Sequence, residues 1–384
     1  MSRPPVYLDY HSTTPVDPRV LEAMLPYFTE NFGNPASSSH AWGWKAQEAV
    51  EESRRRVAAL LGASAREVIF TSGATESNNW AIKGVAALSP PSRRHLVCSA
   101  IEHKCVLEVC KSLEQAGWSL TVLPVQRDGR IDLEALAGVV TEQTALVSIM
   151  IANNEIGVVQ PMADIAAIAH AKGALLHTDA AQAVGKIPIN LATLPVDLLS
   201  LTAHKMYGPK GCGALFVRKR TELAPLIVGG GQERGFRSGT LNVPGIVGLG
   251  YACHIDRQEM VEETARLARM RNQLLEGLRA SCGGVVVNGS MEHRLPHNLH
   301  VAFEGVDGES LIIGISDIAV SSGSACSSAS ATPSHVLKAL LGSDPVPGAT
   351  VRFGLGRFTT DDDIAYAIEK FTAVVKRLRA TATV

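Results

Sequence analysis

The stretch ALLHTDAAQ (174–182) contains an apolar run that ends in Asp179, and LLSLTAHK (198–205) contains a second one that ends in Lys205. Apolar runs of this length, bounded by polar residues, predict buried strands. In an open α/β sheet, ligands bind at the carboxyl ends of the strands. Asp179 and Lys205 therefore lie where a ligand is expected, although single charged residues at loop starts are more often ordinary surface groups.

Three neighbouring residues give this pair a chemical context. Gln182 follows Asp179 by three residues, a spacing that puts both on one side of a turn or helix start. Thr202 and His204 flank Lys205 and offer donors for a phosphate.

The upstream segment FTSGATESNN (70–79) predicts a strand, a glycine and the start of a helix. Backbone N–H groups of Gly73 and Ala74, with the Thr75 hydroxyl, would form an anion cradle at the helix N-terminus. An ordinary N-cap is the alternative for this segment taken alone. Together with the aspartate and the lysine, the cradle suits pyridoxal phosphate (PLP). That cofactor needs a lysine to bind its aldehyde and an acid to keep its pyridine nitrogen protonated.

Composition indicates a soluble globular protein. A length of 384 residues suits two packed domains, and 46% hydrophobic with 19% charged residues can supply a core. The net charge of −1 argues against a large nucleic-acid footprint. The basic runs at 54–56 and 218–220 are expected to be solvated faces.

Seven widely spaced cysteines without a CxxC pair disfavour a disulfide framework or a zinc site, so no metal is expected. The N-terminal stretch lacks the pattern of a signal peptide, and no apolar run is long enough to cross a bilayer. These features predict a reduced, cytoplasmic protein.

Seven apolar runs predict the strands of one sheet: Val68–Phe70, His95–Ser99, Leu120–Val125, Ala145–Ile151, Ala174–Thr178, Leu198–Thr202 and Gly213–Val217. Helical patterns between them, such as Val106–Ala116 and Ile165–Lys172, predict a largely parallel sheet with helices on both faces. Ala46–Leu61 predicts a further helix, with Gly62 as its C-cap.

After Gly250 the pattern changes to that of a smaller α+β unit, whose boundary is expected within a long charged helix. The predicted elements are Glu259–Arg279, Val285–Asn288, His300–Phe303, Ser334–Leu341, Gly348–Gly354 and Asp361–Leu378. The last residues, Ala380–Val384, are expected to fray.

Motif-like segments occur along nearly the whole chain: YLDYHSTTPVDPRV (7–20), FGNPASSSH (32–40), FTSGATESNN (70–79), IEHK (101–104), ANNEIGVVQ (152–160), HTDAAQAVGK (177–186), TAHKMYGPKGCGAL (202–215), GGGQERGFRSGT (229–240), SSGSACSSAS (321–330) and VRFGLGRFT (351–359). Together they resemble the cysteine desulfurases of the iron–sulfur assembly and nitrogen-fixation type, a branch of the PLP fold-type I (class V aminotransferase) enzymes. The resemblance implies an α/β fold with a PLP-binding large domain over 15–258, built on a seven-stranded, mostly parallel sheet flanked by helices. A smaller α+β domain over 1–14 and 259–384 would carry the catalytic cysteine loop.

The resemblance also implies residue roles. Lys205 would bind PLP and then act as general base and acid at the substrate Cα, with Lys210 in the turn GPKG as its competitor. Asp179 would pair with the pyridine nitrogen and Gln182 with the ring oxygen. His103 would stack on the ring and assist proton transfer. The other residues expected to bind the cofactor are Ala74, Thr75, Asn154, Thr202 and His204.

Cys326, within SSGSACSSAS, corresponds in this resemblance to the thiol that takes the sulfur. A thiol on a loop of small residues can reach a substrate and carry its cargo away. Composition alone leaves packing as a small hydrophobe as the alternative. Cys105 follows His103 by two residues in a helix-like run and is expected to be structural.

The substrate carboxylate would be bound by Arg352 in a bidentate fork, with donors from Asn34 and Asn154. Arg357 is the alternative carboxylate partner. Thr240 would reach the phosphate bound by the other subunit of a C2 homodimer, so the active site would be shared. The alternative for GGGQERGFRSGT (229–240) is a flexible glycine loop.

The expected reaction converts L-cysteine to L-alanine and leaves the sulfur as a persulfide on Cys326, for transfer to an acceptor in iron–sulfur cluster assembly or other sulfur trafficking. The family's assembly-type members continue past the closing helix with a tail that docks their scaffold protein, whereas this chain stops at Val384, so the acceptor stays open. The alternatives are a selenocysteine lyase, another fold-type I lyase or aminotransferase, and a non-catalytic sulfur-relay scaffold. Cys326 argues against simple transamination, which needs no thiol.

Overall fold

Thirteen strands and eleven helices lie in the part of the chain that the computed structural model describes, residues 4–322 and 334–382. Cys326 lies outside the described residues. The strands are β1 (Val6–Tyr7), β2 (Val68–Thr71), β3 (His95–Ser99), β4 (Ser119–Leu123), β5 (Thr144–Ser148), β6 (Leu175–Asp179), β7 (Leu198–Thr202), β8 (Gly213–Val217), β9 (Val285–Val287), β10 (Asn298–Glu304), β11 (Ile318–Ala319), β12 (Ser321–Ser322) and β13 (Gly348–Gly354).

The helices alternate with the strands through most of the chain. They are α1 (Pro18–Met24), α2 (Pro26–Thr29), α3 (Ala41–Leu61), α4 (Ala74–Leu88), α5 (Lys104–Gln115), α6 (Leu133–Val139), α7 (Met162–Ala171), α8 (Val243–Cys282), α9 (Gly308–Gly314), α10 (His335–Leu341) and α11 (Asp361–Ala382). Short 3-10 turns lie at Ala65–Glu67, Ala203–Lys205 and Glu233–Gly235.

Strands β2 to β8 form one seven-stranded sheet in the order β2-β8-β7-β6-β5-β3-β4. Only β8 runs antiparallel to its two neighbours, and the other pairs are parallel. The predicted mostly parallel, seven-stranded sheet is therefore confirmed. Because β6 and β7 are parallel neighbours, Asp179 and the turn with Lys205 both lie at the carboxyl ends of these strands, on the same side of the sheet.

Helices cover both faces of this sheet. On one face, Trp80 of α4 and Val106 of α5 are buried with Leu96 of β3. On the other face, Val57 of α3 and Ile165 of α7 belong to the largest hydrophobic cluster. Two layers of helices around a parallel sheet bury its strands on both sides, which explains their continuous apolar runs.

Helix α3 shows how local chemistry sets an element. The His40 side chain accepts a hydrogen bond from the Gly43 N–H at the N-terminus. Gly62 ends the helix in the left-handed conformation at φ 63°, where a side chain would be strained. The predicted C-cap is therefore confirmed, and the helix begins five residues before the predicted Ala46.

A second sheet of four antiparallel strands, β12-β13-β10-β9, packs with α9, α11 and the end of α8. The N-terminal strand β1 pairs in parallel with β11 near this sheet. Val6 and Leu8 share a hydrophobic cluster with Phe353 and Phe371. The division into domains at 15 and 258 stays a prediction, which this second cluster supports.

The long helix α8 was predicted only over Glu259–Arg279 but spans Val243–Cys282, 40 residues. Its first half is buried and apolar, with Ile246 and Leu249 in the core of the large sheet, so it lacks the charged face that marks the second half. The prediction that Ala380–Val384 fray is wrong for the described part, because α11 continues to Ala382.

The prediction that the basic run 54–56 is solvated is wrong for Arg54, which is 5% exposed. Its guanidinium forms two hydrogen bonds of 2.7 Å with the Glu233 carboxylate, which also accepts the Phe70 N–H. Glu233 thus anchors the glycine-rich segment 229–240 to the sheet.

The other basic run, 218–220, begins with the half-buried Arg218, which donates to three backbone carbonyls.

No helix among the described residues is both long and apolar enough to cross a membrane.

Arg54→Ala should lower the free energy of unfolding by about 3–5 kcal/mol, because it leaves a buried carboxylate without its cation. The adjacent Arg55 pairs with Glu52 on the surface, where the two side chains are 58% and 44% exposed. Arg55→Ala should therefore change stability by only about 0–1 kcal/mol. Urea denaturation of both variants measures the difference, and equal small losses would contradict it.

Candidate active site

The start of α4 lies beside β7, where the Gly73 N–H donates to the Thr71 hydroxyl at 3.3 Å. The N–H groups of the first helical turn have no partner within the helix itself. Gly73 is the N-cap with φ 147° and ψ −179°, a conformation reserved for glycine. A Cβ placed there would lie 3.4 Å from Thr202 Oγ1, so the turn and Thr202 are neighbours. Ala74 and Thr75 form the first turn of the helix. The structure therefore brings the predicted phosphate cradle together with the residue that precedes the Lys205 turn.

His204 lies in that same turn and points its Nδ1 to the Thr13 hydroxyl, 3.1 Å away. Burial, followed by the charges of Lys205 and Lys210, lowers the pKa of His204 to about 4. The ring is therefore neutral at physiological pH and serves as a hydrogen-bonding group. Lys210 itself is exposed in its turn.

Asp179 ends β6 with its side chain buried. Its Oδ1 accepts the Ala181 N–H at 2.9 Å, and its Oδ2 accepts the Asn78 amide at 2.7 Å. Two donors fix the carboxylate at the strand end, as a carboxylate that orients a ligand requires. Asn78, on α4, was not predicted as a site residue. Its only sequence signal was its place in FTSGATESNN.

His103 is the N-cap of α5, and its Nδ1 accepts the Cys105 backbone N–H at 3.2 Å. The Cys105 thiol lies 2.9 Å from the same nitrogen and 3.1 Å from the Asn78 amide. Burial lowers the pKa of His103, against the opposing charge of Asp179. The start of α5 places Cys105 against His103, and the expectation that Cys105 is structural stays a prediction.

Lys205 lies at the end of the 3-10 turn and donates to the backbone carbonyls of His11 and Ser12, the latter at 2.6 Å. Gln182 donates its amide to the same His11 carbonyl at 3.0 Å. The segment after β1 thus holds two of the predicted cofactor residues. Sequence reasoning quoted this segment as a motif without assigning it any site residue.

His11 is itself buried and fixes the orientation of Gln182. Its Nε2 lies 3.0 Å from the amide nitrogen of Asn298. The amide oxygen of Asn298 accepts a hydrogen bond from Arg294, which fixes the orientation of that amide. Because the amide nitrogen can only donate, the ring proton lies on Nδ1 and donates to Gln182 Oε1 at 2.9 Å. Burial and the charge of Arg352 lower the pKa of His11 well below its usual range.

Arg352 of β13 reaches the site from the second sheet. Its guanidinium donates to Asp9 Oδ1, to the Ser12 and Ser321 hydroxyls, and to the Asn154 carbonyl, each at 2.8 Å. Among the described residues, Arg352 Nε and Asn154 Oδ1 are buried without a hydrogen-bond partner. In the described residues, Arg352 pairs with one carboxylate, that of Asp9, and its Nε has no partner. The Arg352 guanidinium is therefore able to bind an anion.

Arg357, the alternative carboxylate partner, is committed elsewhere. It forms ion pairs of 2.7–2.8 Å with Asp17, Asp256 and Glu263, and its side chain is 9% exposed. Three carboxylates already neutralise and orient this guanidinium, so Arg357 is disfavoured as the partner of a substrate carboxylate.

Two predicted residues stand apart from the cluster. Asn34 is exposed and accepts the Ala36 N–H in its own turn, and Thr240 is exposed. Within residues 4–322 and 334–382, no hydrogen bond or ion pair joins either of them to the residues around Lys205. The same part of the chain contains no group of three or more His, Cys, Asp or Glu side chains placed to hold a metal ion.

The family model for class-V aminotransferases matches residues 6–366. A cysteine desulfurase IscS of Anaeromyxobacter sp. (strain K) is 53% identical over 98% of this chain and 93% of its own. A cysteine desulfurase IscS of Rickettsia rickettsii (strain Iowa) is 51% identical over 98% of this chain and 92% of its own.

Solved structures agree with these relatives. A NifS-like protein superposes with a TM-score of 0.91 at 40% identity, over 97% of this chain and all of the other. SspA in complex with cysteine superposes with a TM-score of 0.80 at 37% identity, over 92% of this chain and all of the other.

A mostly parallel sheet with an aspartate, a lysine and a glycine-capped helix start at the carboxyl ends of its strands fits the architecture of a fold-type I enzyme. The chain belongs to the class-V aminotransferase family and, within it, to the cysteine desulfurases.

His177 predicts a pH dependence of stability. It is fully buried two residues before Asp179, where its ring nitrogens lie 2.8 Å and 3.0 Å from the Ser148 and Ser200 hydroxyls. Burial lowers its pKa from 6.5 to about 3. The folded state therefore disfavours the charged ring, so this contribution to stability is complete above pH 6.5 and is lost as pH falls toward 3.

His177→Asn should reduce the slope of unfolding free energy against pH between pH 6 and 4 by about 1.4 kcal/mol per pH unit. Urea denaturation at each pH measures the slope. The matched control is His293→Asn, a partly exposed histidine, and a slope that did not change in His177→Asn would contradict the assignment.

Proposed function

We propose that this protein is a PLP-dependent cysteine desulfurase that converts L-cysteine to L-alanine and retains the sulfur as a persulfide on Cys326. One observation carries the proposal. Lys205, Asp179 and Gln182 lie together after the carboxyl ends of β6 and β7, near the start of α4 at Gly73. The relatives named cysteine desulfurase and the structural neighbour bound to cysteine support the substrate.

The residues at this end of the strands fit PLP. Gly73 adopts a conformation that only glycine accepts readily, and the Thr202 hydroxyl is its neighbour. The neutral His204 follows Thr202 by two residues. Asn154 keeps a buried oxygen without a partner in the described part of the chain. The residues that would hold the cofactor are Ala74, Thr75, His103, Asn154, Asp179, Gln182, Thr202, His204 and Lys205, with Thr240 from a second subunit.

When bound, PLP withdraws electrons from the substrate Cα and so makes its proton and the Cβ–S bond labile. Lys205 moves the Cα proton as base and then as acid. The backbone carbonyls of His11 and Ser12 keep its amine close to the site. Arg352 and Asn154, with Asn34, orient the substrate through its carboxylate.

Cys326 supplies the thiolate that attacks the substrate sulfur. The new S–S bond forms as the Cβ–S bond breaks, and the electron pair of that bond leaves with Cβ, which gains a proton to give alanine. His103, whose pKa burial lowers against the opposing charge of Asp179, assists proton transfer. The persulfide then passes its outer sulfur to an acceptor protein or thiol, which we expect in the cytoplasm, in iron–sulfur cluster assembly or other sulfur trafficking.

A homodimer completes the proposed site. Large apolar side chains are exposed before and within the start of α3, with Phe28 58%, Phe32 66%, Trp42 54% and Trp44 56% exposed. Exposed apolar patches of this kind mark protein interfaces. Thr240 lies exposed on a segment that Glu233 anchors to the sheet, so it is available to the phosphate site of a second subunit.

The proposed chemistry is tested with the full chain reconstituted with PLP. The wild type should absorb near the visible edge, Lys205→Ala should lose that band and about 100-fold or more of its activity, and Lys210→Ala should keep both. Cys326→Ala should bind cysteine but release little alanine, whereas Cys282→Ala should be active. A wild type that cannot be reconstituted, or full turnover by Cys326→Ala without added thiol, would overturn the proposal.

The shared site is tested by mixing variants. Sedimentation should give a dimer near twice the 40.7 kDa chain mass. Thr240→Ala should retain PLP less well, because a charge-assisted hydrogen bond contributes about 1.5–3 kcal/mol. In a heterodimer with Lys205→Ala, the Thr240→Ala chain borrows Thr240 from its partner and should recover its cofactor affinity. Heterodimers seen by mass spectrometry without that recovery would refute the cross-subunit role.

A further inference from the structure

Asn78 and Cys105 connect two residues of the proposed site. Asn78 is fully buried on α4 and donates to Asp179 Oδ2 at 2.7 Å. Its amide nitrogen also lies 3.1 Å from the Cys105 sulfur. That sulfur lies 2.9 Å from His103 Nδ1, so an unbroken chain of contacts runs from the carboxylate to the imidazole.

The chemistry of each group sets the direction of these hydrogen bonds. His103 Nδ1 accepts the Cys105 backbone N–H, so this nitrogen carries no proton. A thiol beside an unprotonated ring nitrogen can only donate to it. The amide nitrogen of Asn78 carries only donor hydrogens, so it donates to the sulfur as well as to Asp179. The proton of the neutral His103 ring is therefore on Nε2.

The pKa shifts of Cys105 and His103 agree with a hydrogen bond that the thiol donates to the ring. Burial, together with the charge of Asp179, raises the pKa of the Cys105 thiol to about 12, so the thiol keeps the proton that it donates. Burial also lowers the pKa of His103, which favours the neutral ring. A protonated thiol is a poor nucleophile, so this environment disfavours Cys105 as a second sulfur acceptor.

We propose that Asn78 and Cys105 are positioning residues that join Asp179 to His103 and hold His103 as its Nε2–H tautomer. The catalytic meaning of this arrangement rests on the proposed function. In a desulfurase, neutral His103 offers a proton donor at Nε2, while its other nitrogen is occupied and unavailable as a base. The arrangement itself exists in the folded chain whether or not the enzyme turns over.

The test is nitrogen NMR of the full chain labelled with ¹⁵N-histidine, with PLP removed and then restored. The His103 signal is assigned by its loss in His103→Asn. Cys105→Ala should raise the midpoint of the His103 titration by about 0.5 pH unit, because it removes a donor that stabilises the neutral ring. Cys105→Ser keeps a donor and should stay near the wild type. Cys110→Ala, on the same helix but without this contact, is the matched control.

Asn78 is tested by a double-mutant cycle with the same readout. Asn78→Ala should shift the titration in the same direction, and Asn78→Ala/Cys105→Ala should match Cys105→Ala alone, because Asn78 acts on His103 through the thiol. Additive shifts, a wild-type ring protonated on Nδ1, or an unchanged signal in folded Cys105→Ala or Asn78→Ala would overturn the proposal. No readout depends on turnover, so an inactive wild type with this tautomer would reject the proposed function and leave this inference intact.

Discussion

The backbone carbonyl of His11 is the point on which the site depends. Lys205 and Gln182 both donate to it, although Lys205 lies 194 residues further along the chain. The segment that carries this carbonyl follows β1, and backbone hydrogen bonds of Leu8 and Tyr10 with Gly354 of β13 tie it to the second sheet. A buried carbonyl must be satisfied, and here the partners that satisfy it are two residues of the proposed cofactor site. The junction between the two sheets and the site is thus one piece of backbone.

Charge is distributed so that two similar arginines have different tasks. Arg357 is surrounded by Asp17, Asp256 and Glu263 and holds α1, α8 and the loop after β13 together. Arg352 has a single carboxylate partner, Asp9, and keeps one buried nitrogen without a partner in the described residues. Removing a cation from the first cluster would leave buried charges uncompensated. The second arrangement suits the role that we propose for Arg352, which is to bind the substrate carboxylate.

The position of Asp179 and the orientation of its carboxylate have different origins. The strand end places the carboxylate, as the apolar run predicts, but its orientation comes from Asn78 on a different helix. The same asparagine continues to Cys105 and His103. His177, two residues earlier on β6, ties that strand to both neighbouring strands through serine hydroxyls. The site is therefore held from the sheet below and from helix starts on either side.

The amino-acid sequence by itself indicated the seven strands of the large sheet and helices such as α3, α5 and α7, because apolar periodicity and glycine turns are local signals. The resemblance of its motifs indicated the family. It missed the burial of Arg54, the first half of α8 and the contacts of His11, Asn78 and Cys105. The burial of Arg54 and the contacts of His11 and Asn78 depend on partners distant in the sequence, such as Glu233 for Arg54. Which side chain meets which carbonyl or carboxylate is decided only when the strands and helices pack, since hydrogen bonds between distant residues leave no period in the sequence.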